Sequence, residues 1–230
     1  MLKYTISTLF LFIGVAIQAQ DTLSFSKYPD KYGLRIGTDL IKASRNFWDN
    51  NYSGFEVSAD YRLNKKTYVA SEFGLEDKFR EEDHLTFTTS GMFIKVGLDY
   101  NVYENWLDMN NMIFVGGRYG FSNFSQTLHS YDIYETNTYF PSDTYFPNSE
   151  STGLSAHWVE FVAGMKTEVL KNLYLGFSFR VSHLIAQKQP NDFENLYIPG
   201  FGKKYSGNIG AGFNYSISYK PAFLCSNLDN

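Results

Sequence analysis

Two short stretches bring a histidine beside a serine. His129-Ser130, with Asp132 two residues on, lies in a long polar segment, and Ser182-His183 ends an alternating run. A serine nucleophile, a histidine base and an acid are the ingredients of acyl transfer or hydrolysis. Adjacency in sequence does not assemble them, and His183 falls in the apolar phase of its run. A ring there reads as an interfacial residue. Asp132, Glu135, Asp143 and Glu150 lack the spacing of a calcium loop and read as solvating charges. The chain has no glycine-rich phosphate loop, no HExxH and no GxSxG. The expectation is therefore a non-enzyme, with no catalytic residue, cofactor or metal assigned.

A larger constellation is ionic. Arg35, Arg62, Lys95, Arg118, Lys166 and Arg180 recur at alternate positions of otherwise apolar runs. So do Asp39, Glu56, Asp60, Glu72, Glu76, Asp99, Glu160 and Glu168. What such charges do depends on the elements that carry them.

Those elements read as strands. In "GFNYSISY", Phe213, Tyr215, Ile217 and Tyr219 share one face, and Gly212, Asn214, Ser216 and Ser218 the other. Period two of this quality is a strand with one apolar face. The same reading gives strands over about 32–41, 54–63, 67–76, 86–103, 111–121, 157–169, 173–185 and 212–219. Connections alternate between short ones (64–66, 104–110, 171–172) and long ones (42–53, 77–85, 122–156, 186–205). Short turns at one end and long loops at the other are the pattern of an outer-membrane β-barrel. The fold class predicted is all-β, an eight-stranded antiparallel up-and-down transmembrane barrel.

A soluble barrel would turn its apolar face inward. Glycines argue for the reverse. Gly74, Gly97, Gly116, Gly120, Gly164 and Gly176 fall on the polar face, where they would make room for Arg, Lys and Glu inside a narrow barrel. Tyr61, Tyr100, Tyr103, Trp106, Tyr215 and Tyr219 gather near the turn end, as an interfacial girdle requires. The charges then face the lumen. Eight strands leave an interior just wide enough for side chains to fill. Charges there must pair, because an unpaired ion in low dielectric is costly. They are expected to form a salt-bridged plug rather than an ion pathway.

The first nineteen residues, "MLKYTISTLFLFIGVAIQA", have a lysine near the start, a short apolar run and a small residue at the end. This is the layout of a secretory signal peptide cleaved after Ala19. Residues 20–31 read as a periplasmic lead, 32–219 as the barrel and 220–230 as a tail. Net charge is -4, with 20 basic against 24 acidic residues, so nothing points to nucleic acid. Aromatics make up 18% of the chain, and its single cysteine, Cys225, excludes an intramolecular disulfide.

With the strands laid out, the chain resembles the small eight-stranded outer-membrane barrels of the OmpA or OmpX kind. Its tyrosine-rich strands and "AIQAQD" signal end resemble an outer-membrane barrel family of Bacteroidota type. The resemblance implies the outer membrane of a Gram-negative bacterium, contact with its lipid, and insertion by barrel-assembly machinery. It implies no catalytic residue. The stretch "TYFPSDTYFPNS" repeats Thr-Tyr-Phe-Pro within the third long loop. Two six-residue copies are too short for a solenoid. They read as strand extensions joined at a proline-bounded turn, or as a patch that binds an extracellular glycan or protein through Tyr139, Phe140, Asp143, Tyr145 and Phe146. A narrow channel and a lipid A-modifying enzyme are the alternative functions.

Overall fold

The computed structural model describes residues 33–82, 84–103, 111–133, 144–190 and 193–221. The signal peptide, the lead to residue 31, Trp106, Glu135, Tyr139, Phe140, Asp143 and Cys225 lie outside the described residues.

Each alternating run forms a strand. In chain order they are β1 (Leu34–Asp39), β2 (Tyr52–Arg62), β3 (Thr67–Glu82), β4 (Leu85–Asn101), β5 (Met112–Asp132), β6 (Thr144–Tyr145), β7 (Ser149–Leu170), β8 (Leu173–Gln187) and β9 (Ile209–Tyr219). A short helix, α1 (Leu40–Arg45), follows β1. Neighbours in the chain pair antiparallel, β5 pairs with β7, and β9 returns to β1. The result is a closed, all-β, up-and-down barrel of eight strands, with β6 attached to β5 beyond the ring. Closure removes every sheet edge from the ring, which is what allows strands to cross a bilayer.

Apolar side chains cover the outside. Phe55, Phe73, Leu75, Ile94, Val96, Leu98, Phe161, Phe177, Phe179 and Phe213 are all exposed. Tyr61, Tyr100, Tyr215 and Tyr219 are exposed near the turn end. In water such a surface would aggregate; in a membrane it is the lipid-facing band.

Two boundaries differ from expectation. The first strand stops at Asp39 instead of running to Ile41, because the Asp39 carboxylate accepts from Ile41 N at 2.7 Å and Lys42 N at 3.2 Å and caps α1. The loops expected at 77–85 and 122–156 are largely strand: β3 reaches Glu82, β5 reaches Asp132, and β7 begins at Ser149. The cause is an exchange of polarity between faces. Along inner β4 the lumen side carries Lys95, Gly97 and Asp99 and the outside Ile94, Val96 and Leu98; further out, Phe87 and Phe93 turn inward while Thr86, Thr88 and Ser90 turn out. An outward apolar stripe ends where the lipid ends, but the strand continues.

Candidate functional site

The barrel interior is the main concentration of chemistry. Near the turns, Arg35 Nε donates to Asp60 Oδ1 and Lys166 Nζ to Asp60 Oδ2, each at 2.6 Å. Arg35 also lies against the rings of Tyr68 and Tyr174. Arg62 and Glu168 also tie the turns to this level. Arg62 donates to the Asn64 and Lys65 carbonyls, and Glu168 accepts from Asn172 N.

Halfway up, Glu72 is a hub. It accepts from Arg118 Nε and Arg180 Nη1, both at 3.2 Å, and pairs with Lys95 at 3.5 Å. Arg118 grips Asp99 through both terminal nitrogens, at 2.7 and 3.0 Å. Such two-pronged geometry is the strongest form of this contact. Lys95 also pairs with Glu160 at 3.1 Å, and Glu160 accepts from Trp158 Nε1 at 2.7 Å and Ser182 Oγ at 3.2 Å. Lys95 and Asp99 are 0% exposed. Charges this deep persist only when paired and hydrogen-bonded.

The outer tier holds Asp39, Glu56 and Glu76, and among the described residues no strand lysine or arginine makes a salt bridge to them. Lys42 does, from α1: its Nζ lies 2.6 Å from both Glu56 and Glu76. Asn214 Nδ2 donates to Asp39 and Glu56 at 2.8 and 3.3 Å. Glu76 also accepts from Tyr52 OH, Tyr197 OH and Gly200 N. Sequence reasoning missed Lys42, having placed it in a loop. The signal that could have found it is the excess of acids at that end of the polar face.

Beside this tier lies an apolar cluster of Phe93, Phe124, Leu154, Ala156, Trp158, Leu184, Ile198 and Phe201. Ile198 and Phe201 come from the segment between β8 and β9, which turns into the barrel. Gln126 holds that segment by accepting from Leu196 N at 3.0 Å and donating to Glu194 O at 3.2 Å. The inward glycines serve these rings more than the charges. A Cβ at Gly74 or Gly200 would meet Phe93, at Gly120 Trp158, at Gly164 Phe114, and at Gly210 Phe201. At Gly116, Gly176 and Gly212 it would instead meet charged side chains, Asp99, Lys166 and Arg180.

The histidine–serine pairs do not assemble. Ser182 points inward to Glu160, while His183, next along the strand, points out. His129 is the extra residue of a bulge on β5, and its Nε2 meets Thr88 Oγ1 at 2.8 Å rather than Ser130. Asp132 instead accepts from Thr144 at 2.7 Å and meets His84 Nδ1 at 3.1 Å. Beside it the Tyr131 and Tyr145 rings stack at 6.0 Å, and Phe146 projects into solvent.

The Thr144 hydroxyl and the His84 ring hold the Asp132 carboxyl below the usual carboxylate range. A depressed folded pKa means that the stabilisation is complete above about pH 3.8 and fades as pH falls through the folded value. Acidification below that point should lower the amide-exchange protection factors of Thr144 and Tyr145, and Asp132→Asn should remove that loss. Protection factors that stay flat with pH in the parent protein would show that the carboxylate does not hold β6.

A closed ring with a lipid-facing band outside and paired charges inside is the fold of an outer-membrane β-barrel. The chain belongs to the DUF6048 family. That family is described as a domain of unknown function, and residues 1–223 match it. Among curated proteins, none matches the chain. Among solved structures, Ail, the attachment invasion locus protein of Yersinia pestis, is 13% identical over 84% of this chain and 100% of that one, with a TM-score of 0.41. Neisserial surface protein A is 12% identical over 83% and 96%, with a TM-score of 0.44. A major outer membrane protein of Thermus thermophilus is 15% identical over 83% and 98%, with a TM-score of 0.39. Likenesses this distant carry no functional argument.

Proposed function

We propose that this DUF6048 chain is a non-enzymatic barrel of a Gram-negative outer membrane, with a non-conducting lumen, working through its outer loops. The observation that carries the reading is the stacking of an apolar lid over a buried ionic layer. Ile198 and Phe201 pack among Phe93 and Trp158 above Lys95 and Glu160. An ion crossing would have to shed water, displace the lid and break paired charges. Planar-bilayer recordings should therefore show no steady single-channel steps; reproducible unitary conductance would turn the reading to a narrow channel for ions or small solutes.

Surface binding is the work this leaves. Strands β3, β4, β5 and β7 continue past the apolar band, and β6 adds Tyr145 at their outer end, with Phe146 next in the chain. We assign the patch Tyr139, Phe140, Asp143, Tyr145 and Phe146 to recognition of an extracellular glycan or protein. Exposed aromatics suit such contacts because they bring large area at low entropy cost. Deleting residues 138–149 should leave heat-modifiable gel migration intact and abolish binding of cells to a glycan or host-protein array. An array profile identical to the parent's would sink the assignment. Insertion is assigned to barrel-assembly machinery that reads β9.

A further inference from the structure

The outer wall carries a groove that the surface-binding reading does not use. Its cavity is about 590 Å³, in the range of small-ligand sites. Its lower row is Phe55, Leu75 and Met92, register partners on β2, β3 and β4. The next row out is Ser53, Asp77, Ser90 and Ser125, again register partners. The groove therefore spans the last apolar row and the first polar one. On an outer-membrane barrel that step marks the passage from acyl chains to headgroups.

The charge of the lining narrows the occupant. Among the described residues no lysine or arginine lines the groove, and Lys188 Nζ stands at its β7 rim, 4.0 Å from where a Cβ on Gly153 would sit. Of its acids, Glu76 points inward to Lys42, so Asp77 is the outward charge. A phosphate seated on the serine row beside Asp77 would meet an anion, with β4 and β5 between it and Lys188 at the far rim. Serine hydroxyls and the Asn123 amide instead match a headgroup that both donates and accepts hydrogen bonds.

A second observation stands at the same level. Phe47 and Trp48 are 90% and 73% exposed, directly after the groove residue Asn46. They are not on a loose loop. Asn46 clamps Gly54 through both amide atoms, at 2.8 and 2.9 Å, and Arg45 pairs with Asp49 at 2.7 Å. Ser53 lies two residues out from Phe55, about 7 Å along the strand. The headgroup layer of a bilayer is about 5–8 Å deep on each side. Aromatic rings carried on a pinned backbone at that depth are interfacial anchors.

We propose that the groove seats one outer-leaflet lipid whose headgroup bears hydroxyl or amide groups and no phosphate. Its acyl chain lies along Phe55, Leu75 and Met92, and its headgroup meets the serine row, with Phe47 and Trp48 as the flanking interfacial anchor. The proposal rests on the outer-membrane placement given above and is independent of the loop assignment.

The test titrates the detergent-purified full chain with a monohexosyl diacylglycerol and, separately, with phosphatidylglycerol of the same chains. Native mass spectrometry counts the lipid retained. The parent protein should retain one glycolipid and at least ten-fold less phosphatidylglycerol. Ser90→Phe and Ser125→Phe, which fill the groove from outside, should each lower glycolipid retention at least ten-fold. Ala211→Phe, outward on β9, should not. Heat-modifiable migration verifies folding of each variant. Equal retention of the two lipids by the parent, or unchanged retention in both groove-filling variants, overturns the proposal. A chain that stays monodisperse without detergent would sink the membrane placement, and this proposal with it.

Discussion

Glu72→Leu should lower the unfolding free energy of the barrel by about 3–5 kcal/mol, the range for removing one partner of a buried ion pair. The reason is arithmetic of charge rather than loss of a contact. Glu72 faces Arg118, Arg180 and Lys95 together. Arg118 keeps Asp99, and Lys95 keeps Glu160. Arg180 has no second salt bridge among the described residues; Glu160, Glu56 and Asp39 act on it only at longer range, so it would be left charged and buried without a direct partner. Urea titration in lipid vesicles, followed by tryptophan fluorescence, to which the buried Trp158 contributes, reads the effect. The double variant Glu72→Leu/Arg180→Met should recover part of the loss, because it removes the stranded charge as well. A single variant within about 1 kcal/mol of the parent, or a double variant worse than the single, would show that the ionic layer is not what holds this level of the barrel.

Gly200→Val should expel the inserted segment. Gly200 adopts φ +79°, which costs a residue with a Cβ about 1–2 kcal/mol. That Cβ would also press into the Phe93 ring, and overpacking adds about 1–3 kcal/mol. The shift would further pull Gly200 N from Glu76, 3.1 Å away. Hydrogen exchange and protease cleavage over residues 193–205 should rise sharply, and Gly200→Ala should fall between. Unchanged protection in the valine variant would mean that the lid is held elsewhere, through Gln126 and Leu196.

The ring was legible in the sequence because lipid imposes one rule on every strand. Phe213, Tyr215 and Tyr219 had to face out, and residues between them had to face in. The rule lapses where the lipid ends. Thr88 and Ser125 face water, Phe87 and Phe124 face inward, and the alternation that remained resembled loop. The inward charges were legible for the same reason, since Arg118 or Glu160 has no other place in an apolar alternating run. Their pairing was not, because partners such as Arg180 and Glu72 come from distant strands. Lys42 was invisible to periodicity altogether, since a helix of six residues carries it into the barrel from above.

The shortness of β1 bears on how the ring yields. Its ladder with β9 runs only from Ile36–Tyr219 to Asp39–Ser216, whereas β4 and β5 pair from Leu85–Tyr131 to Asn101–Phe114. Under lateral tension the β1–β9 seam is the hinge line that parts first. Asn214 is its latch, reaching from β9 to Asp39 on β1 and Glu56 on β2. Among the described residues the join is then zipped by backbone along a few residues and crossed by the Asn214 amide, the shortest ladder of the ring where its two ends meet.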